Sequence, residues 1–374
     1  MAKLVPTIGI LGSGQLGRMI ALSAASLGMR AHIYAPDAKG SPAGDVAAEV
    51  TTAAYDDETA LEDFAKSIDG VTSEFENVPS ATLAILARHL PLVSPSIKAL
   101  DTAQDRLSEK HMARALGIAT PRFWQIDTLD DIAKALDELG GKGVLKTRRD
   151  GYDGKGQLRV TTGDNPARIF DEIGGKPLIL ESFVDFTQEA SFLIARDASG
   201  AICHFPASLN HHRDGILAHS TAPAPIDEAI VQKGQAAIAS IATELELFGI
   251  LAMETFITHQ GDIIFNEIAP RPHNSYHWSI EGAHCSQFEQ LARLVGGLPM
   301  RTPAITGGKD TLWRMENLLG QHASQIASLQ AQDDVSTHLY GKSAYRDGRK
   351  IGHITYAISA DQLSDNDDKS YKVD

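Results

Sequence analysis

Lys146-Thr-Arg-Arg-Asp-Gly-Tyr-Asp-Gly-Lys-Gly-Gln157 is the stretch on which the reading of this chain turns. It follows the short apolar run Gly143-Val144-Leu145, which predicts a strand. Gly151, Gly154 and Gly156 are then set among the cations Lys146, Arg148, Arg149 and Lys155. Glycine admits positive φ and lets the backbone approach a ligand closely. Successive N–H groups in such a turn form a concavity for anions. Cations on both sides suit a polyphosphate better than a carboxylate. The plainer alternative is a solvated hairpin tip, where Gly, Asp and Lys are common. No Gly-Lys-Ser/Thr opens a helix here, so the loop is not a Walker A motif.

Three carboxylates further along the chain bear on that loop. Leu178-Ile-Leu-Glu-Ser-Phe-Val184 reads as an apolar strand ending in Glu181. Ala252-Met-Glu-Thr-Phe256 and Ile263-Ile-Phe-Asn-Glu-Ile268 each carry a carboxylate inside an apolar strand pattern. A buried carboxylate is costly unless paired or metal-bound. The turn His259-Gln260-Gly261-Asp262 joins the last two strands, so Glu254 and Glu267 are expected side by side. Hard oxygen ligands next to phosphates are what Mg²⁺ requires. The order of glycine loop, strand-end Glu, then Glu and Asn-Glu on adjacent strands resembles the ATP-grasp family, from about Gln104 to Gly297.

Composition narrows the function classes. At 374 residues the chain is expected to hold two or three domains, and 43% hydrophobic content is ample for their cores. A net charge of −14 argues against a partner that is nucleic acid or an anionic membrane. A polyphosphate binder of that charge must gather its cations locally. Cys203 and Cys285 cannot build a disulfide framework, which suits a reducing, cytoplasmic compartment. Neither a signal peptide nor an apolar run of membrane-spanning length is expected.

The first hundred residues read as an α/β unit. Thr7-Ile-Gly-Ile-Leu11 is a buried strand, Gly12-Ser-Gly-Gln-Leu-Gly17 a glycine turn, and a helix follows to about Leu27. Ala31–Ala35 is the next strand, with Asp37 at its end. The pattern matches the dinucleotide fingerprint and keeps an NAD-dependent oxidoreductase open as an alternative. Gly70–Phe75 predicts a strand leading into Glu76; Glu74 and Glu76 would point the same way if it continued. Helix Ser80–His89 and strand Pro91–Val93 would complete a parallel sheet of about four strands. Asp105–Gly117 and Thr128–Leu139 read as helices, with Ile118-Ala-Thr-Pro121 between them.

Five motifs extend the resemblance to nearly the whole chain. They are Gly12-Ser-Gly-Gln-Leu-Gly-Arg18, Glu74-Phe-Glu-Asn77, Gly151-Tyr-Asp-Gly-Lys-Gly-Gln157, Ala269-Pro-Arg-Pro-His-Asn274 and Gly348-Arg-Lys-Ile-Gly-His353. Together they resemble the N5-carboxyaminoimidazole ribonucleotide synthetase family of ATP-grasp ligases. The resemblance implies a Rossmann-like domain over 1–103, an ATP-grasp domain over 104–300 with its lid at about 119–184, and a small β-rich domain over 301–374. It implies ATP, bicarbonate and aminoimidazole ribonucleotide as substrates, and Mg²⁺, or Mn²⁺ in its place, as cofactor. ATP would be met by Arg106, Lys146, Gly151, Tyr152, Asp153, Gly154, Lys155, Gly156, Gln157, Glu181, Ser182, Phe183, Val184, Glu189, His212, Asn266 and Glu267. Glu254 and Glu267 would hold the metal. Tyr152, Asp153, Lys155, Arg271 and His273 would be catalytic. Gln15, Leu16, Glu74, Glu76, Arg271, His273, Lys342, Arg349 and Lys350 would meet the ribonucleotide and bicarbonate. A homodimer that passes its product to a separate mutase is also implied.

Other ATP-grasp ligases remain open at this point, such as a formate-dependent glycinamide ribonucleotide transformylase or an amino-acid ligase. So does a non-catalytic ATP sensor, which the two metal carboxylates disfavour. Asp361–Asp374 departs from the family by being polar where a longer, more apolar close is expected.

Overall fold

The computed structural model describes residues 5–151, 156–173, 177–308, 310–359, 363, 372 and 373. Strands β1 (Thr7–Leu11), β2 (Arg30–Ala35), β3 (Glu49–Thr52), β4 (Gly70–Ser73) and β5 (Val93–Ser94) form a parallel sheet in the order β3-β2-β1-β4-β5. Every residue of β1 is buried, as expected of a strand covered on both faces. The sheet has one strand more than the four expected. Glu49-Val-Thr-Thr52 is mostly exposed and carries a single large apolar side chain, so it has no alternating pattern to read. β4 also stops at Ser73, two residues short of the expected Phe75.

Strands β6 (Phe123–Ile126), β7 (Lys142–Thr147), β8 (Gln157–Thr161) and β9 (Leu178–Glu181) make a small antiparallel sheet ordered β6-β9-β7-β8. Helix Leu129–Glu138 starts from a Thr128–Asp131 capping box and buries Ile132 and Leu136 against Leu145, Val160, Leu178 and Leu180. This unit carries the glycine loop at the β7–β8 turn.

The third sheet has nine strands: β10 (Gln188–Arg196), β11 (Ile202–His204), β12 (Ser208–Arg213), β13 (Ile216–Ala222), β14 (Gly249–Ile257), β15 (Ile263–Ala269), β16 (Thr311–Leu319), β17 (Ser336–Leu339) and β18 (Lys350–Ser359). Its order is β15-β14-β10-β12-β13-β16-β18-β17, with β11 beside β10. Pairing of β13 with β16 carries the sheet on into residues 311–359. Helix Glu228–Glu244 packs on one face. Gly234 is needed there, because a Cβ at that point would sit 2.1 Å from the Phe192 ring.

A continuous core joins the first and third sheets, running from Ile8, Ile10 and Ile20 to Leu193, Ile250, Phe288 and Leu291. Burial of this apolar surface holds the glycine turn after β1 close to the residues that follow β15. Of the polar end of the chain, Lys372 and Val373 turn their N–H groups onto the buried Glu316 carboxylate; most of residues 361–374 lie outside the described set. Among the described residues no helix is long and apolar enough to cross a membrane.

Candidate active site

The base of the glycine loop is tied to the start of helix Arg106–Ala115. Arg148 donates to the Asp105 carboxylate through Nε at 3.0 Å and Nη2 at 2.5 Å. Arg149 donates to Gln104 Oε1 at 3.3 Å, and the Arg106 N–H to the Arg148 carbonyl at 3.0 Å. Arg148 and Arg149, two of the four cations of the glycine stretch, are therefore engaged by the protein itself, as Lys146 is by Glu181. Burial raises the Asp105 pKa, but Arg148 and the Leu107 N–H outweigh it and hold this carboxyl below its ordinary value. Gly151 and Gly156 flank the tip, whereas Tyr152, Asp153, Gly154 and Lys155 lie outside the described residues.

Glu254 on β14 and Glu267 on β15 are direct cross-strand partners. The register shifts immediately after them, leaving Asn266 as the extra residue of a bulge. Bulges re-aim side chains in this way beside functional sites. Arg106 donates to Glu267 Oε2 at 2.6 Å. Enclosure in the cleft pushes the Glu267 pKa up, but Arg106 overcomes it and brings it down to about 2. Glu254 has no comparable cation: burial and then the Glu267 charge raise it to about 7. His273 Nε2 lies 3.5 Å from Glu254 Oε1, and Nδ1 lies 2.7 Å from the Ser275 hydroxyl. Burial and Arg271 lower the His273 pKa to about 3, so its ring is neutral.

A cavity of about 340 Å³ lies between the lid sheet and β14. Val144, Leu158, Val184 and Phe256 supply apolar walls, and Phe186 stacks on Phe256 with ring centroids 4.7 Å apart. Lys146, Gln157, Glu181, Ser182 and Phe183 also border it. Lys146 donates to Glu181 Oε2 at 2.9 Å, while buried Glu181 Oε1 accepts no hydrogen bond. Burial acts to raise Glu181, but Lys110 and Lys146 bring it down to about 2. Glu189 and His212, on β10 and β12, approach to 2.9 Å. Burial lowers His212, and Glu189 and Glu254 raise it further than burial lowers it. A separate cavity of about 310 Å³, near Arg213, Leu217 and Asn317, is bordered by none of these residues.

Across the cleft, Glu74 and Glu76 diverge because β4 has ended. Glu74 accepts from the Gly14 N–H at 2.5 Å and the Gly17 N–H at 2.8 Å, with Leu16 N–H nearby. Gly12, at φ +112°, is needed for this: a Cβ there would lie 2.3 Å from Glu74 Cγ. The N–H groups a dinucleotide pyrophosphate would require are thus already bound by a carboxylate, which removes the basis for the NAD alternative. Gln15 and Leu16 begin the helix at this turn. Glu76 turns instead to Arg271, whose Nε and Nη2 grip its two oxygens. Burial raises Glu76, and Arg271 outweighs that to leave it lowered.

The hairpin between β17 and β18 has Asp347 and Gly348 at its turn, closed by the Arg349 N–H on the Arg346 carbonyl. Arg349 is exposed and donates to the Ala344 carbonyl at 3.3 Å. Lys342 donates to the Lys350 carbonyl at 2.6 Å. Lys350 is half-buried, and its charge is felt by Glu254, His212 and His273. Lys350 therefore belongs to the cleft, whereas Arg349 stays with the hairpin.

Sequence reasoning missed Asp105, Glu109 and Lys110. Glu109 accepts the Ile268 N–H at 3.1 Å; burial and the Glu267 charge push its pKa up to about 8. Lys110 is fully buried and donates to the Asn266 carbonyl. On an amphipathic helix such charges read as a solvated face. The one available signal was their spacing with Arg106 at i, i+3 and i+4.

Comparison with known proteins covers almost the entire chain. Residues 5–104 match the ribonucleotide synthetase preATP-grasp domain, 111–288 the ATP-grasp domain and 314–365 the phosphoribosylaminoimidazole carboxylase C-terminal domain. An N5-carboxyaminoimidazole ribonucleotide synthase from Brucella melitensis biotype 1 is 42% identical over 351 residues, covering 93% of this chain and 95% of that protein. The crystal structure of N5-carboxyaminoimidazole ribonucleotide synthetase from Thermus thermophilus is 41% identical, with a TM-score of 0.85 over 94% of this chain and 93% of the other. An Aspergillus clavatus N5-carboxyaminoimidazole synthase, solved with ADP and 5-aminoimidazole ribonucleotide, is 28% identical, with a TM-score of 0.85 over 95% and 94% of the two chains.

Proposed function

The chain belongs to the N5-carboxyaminoimidazole ribonucleotide synthase family, and on that premise we propose that it carboxylates 5-aminoimidazole ribonucleotide with bicarbonate and ATP. A bicarbonate oxygen attacks the γ-phosphorus, ADP leaves, and carboxyphosphate forms. The exocyclic amine then adds to the carboxyl carbon, directly or after release of CO₂. The carbon–oxygen bond to phosphate breaks, the amine loses a proton, and carbamate and inorganic phosphate result.

The observation that carries this reading is the pair Glu254 and Glu267 with Arg106 on Glu267 Oε2 and the Lys146 charge felt at Glu267. Among the described residues no three His, Cys, Asp or Glu side chains form a ready metal cluster. That donor set fits Mg²⁺, which takes one or two carboxylates and completes its shell with phosphate oxygens and water. Bound there, Mg²⁺ would supply charge neutralisation to the nucleotide phosphates. Glu254 and Glu267 would hold it, and Asn266 at the bulge would assist. Arg106 and Lys146 contribute cations to the phosphates. Glu181 with Ser182 to Val184 borders the cavity assigned to the adenine, and Glu189 with His212 meets the ribose. The reading requires the reactants to be covered, because carboxyphosphate hydrolyses in water, and it assigns that task to the stretch Gly151 to Gln157, with catalytic roles for Tyr152, Asp153 and Lys155, which lie outside the described residues. Arg271, His273, Lys342 and Lys350 serve the ribonucleotide and bicarbonate, with Gln15, Leu16, Glu74 and Glu76 lining its side.

The same reading includes a cytoplasmic homodimer and a separate mutase that receives the carbamate; free Cys203 and Cys285 suit a reducing compartment. Phosphate release from ATP tests the reaction: it should require bicarbonate and aminoimidazole ribonucleotide together for coupled turnover. Turnover supported by formate with glycinamide ribonucleotide, or by an amino acid, would replace it.

A further inference from the structure

Helix Arg106–Ala115 lays three charged side chains along β15. Arg106 reaches Glu267, Glu109 accepts the Ile268 N–H, and Lys110 donates to the Asn266 carbonyl. Lys110 also faces the lid sheet. Its ammonium lies 3.4 Å from Glu181 Oε1 and 5.3 Å from the centre of the Phe265 ring. Glu181 therefore has two cations, Lys146 on one oxygen and Lys110 near the other. We propose that Lys110 is a positioning residue, keeping Glu181 paired and aimed when Lys146 turns toward the nucleotide phosphates. The inference rests on the ATP reading above.

The reason lies in what Glu181 would otherwise become. Its side chain is 3% exposed. An ammonium that turns to a triphosphate gives up part of its bond to Glu181, and a buried carboxylate with no cation is strongly disfavoured. Without Lys110 the Lys146–Glu181 pair would resist opening, and ATP would compete against it. With Lys110 in place Lys146 is free to move. The same ammonium fixes the carbonyl next to Glu267, so the adenine-side strand and the metal-side strand are pinned to one buried charge.

The test is steady-state kinetics of Lys110→Met, with Lys110→Gln as a milder second variant. The apparent KM for ATP should rise tenfold or more, while that for aminoimidazole ribonucleotide stays within twofold. A role in folding alone would lower the active fraction and kcat and leave both KM values unchanged; that result would overturn the inference. Hydrogen exchange on the wild-type chain with ADP and EDTA gives the answer even where both variants fail to fold. Nucleotide should protect residues 109–113, which the reading gives no nucleotide contact of their own, together with 178–181. Protection confined to 178–181 would overturn the coupling. Wild type that binds no ADP would overturn the ATP reading and this inference with it, whereas equal ADP binding by wild type and Lys110→Met would overturn the inference alone.

Discussion

Replacing Asp105 by asparagine isolates the bond at the base of the glycine loop. Asp105 has two tasks: it accepts from Arg148 Nε and Nη2, and its Oδ1 caps the helix by accepting from the Leu107 N–H at 2.9 Å. Asparagine caps a helix about as well as aspartate. Asp105→Asn thus keeps the cap and removes the charge. Hydrogen bonds to charged groups contribute roughly 1.5–3 kcal/mol. The Arg148 side chain is 22% exposed and can recover some hydration, so about 2 kcal/mol is expected. Asp105→Ala loses the cap as well, adding about 1 kcal/mol. A chain with several folding units need not unfold in one step, so the assay is local hydrogen exchange over residues 104–110 and 146–149. Opening free energies should fall by about 2 and about 3 kcal/mol for the two variants. The loosened loop should also release more phosphate per carboxylated product. Equal effects of the two variants, or less than about 0.5 kcal/mol for Asp105→Asn, would refute the assignment of that bond as the anchor.

Glu267→Gln keeps volume and removes one of the two carboxylates proposed to hold the metal; the chain should fold and lose ATP turnover by more than about a hundredfold, measured as phosphate release, and an active variant would remove Glu267 from the proposed metal site. Lys350→Ala should weaken the ribonucleotide by about 1–3 kcal/mol while leaving ATP nearly unchanged; apparent KM values for both substrates decide it, and equal weakening would place Lys350 elsewhere. Acid should destabilise the fold through His219, whose pKa burial and then Arg314 lower to about 3. Below pH 6.5 the unfolded chain takes up a proton there that the folded chain does not, so stability is present above that pH and lost as pH falls through it. Going from pH 7.5 to 5.0 should remove about 2 kcal/mol at this one site, and His219→Gln should abolish that part of the loss in urea unfolding at the two pH values.

Glu254 and Glu267 were legible because carboxylates break the apolar pattern of a strand, and strand patterns are short and strict. The Gly12–Gly17 turn was legible as an anion cradle, but its occupant was not: Glu74 lies about sixty positions away, and only the end of β4 at Ser73 turns it inward. The same early stop sends Glu76 to Arg271, a partner 195 positions along the chain. Lys110 and Glu109 were hidden for a different reason. Charges on a helix are usually solvated, and burial by β15 and β9 is a property of packing that local sequence does not carry. The anchoring of Arg148 was not legible, because its partner Asp105 lies 43 positions away. β3 was missed because an exposed four-residue strand has no pattern strong enough to stand out.

Oxygen tracing tests the central claim most directly. With ¹⁸O-labelled bicarbonate, ATP and aminoimidazole ribonucleotide, attack of a bicarbonate oxygen on the γ-phosphorus leaves that oxygen on phosphorus when the carbon–oxygen bond later breaks. The inorganic phosphate formed should carry one ¹⁸O for each carboxylated product. Phosphate free of ¹⁸O while product accumulates would contradict a carboxyphosphate route at this site.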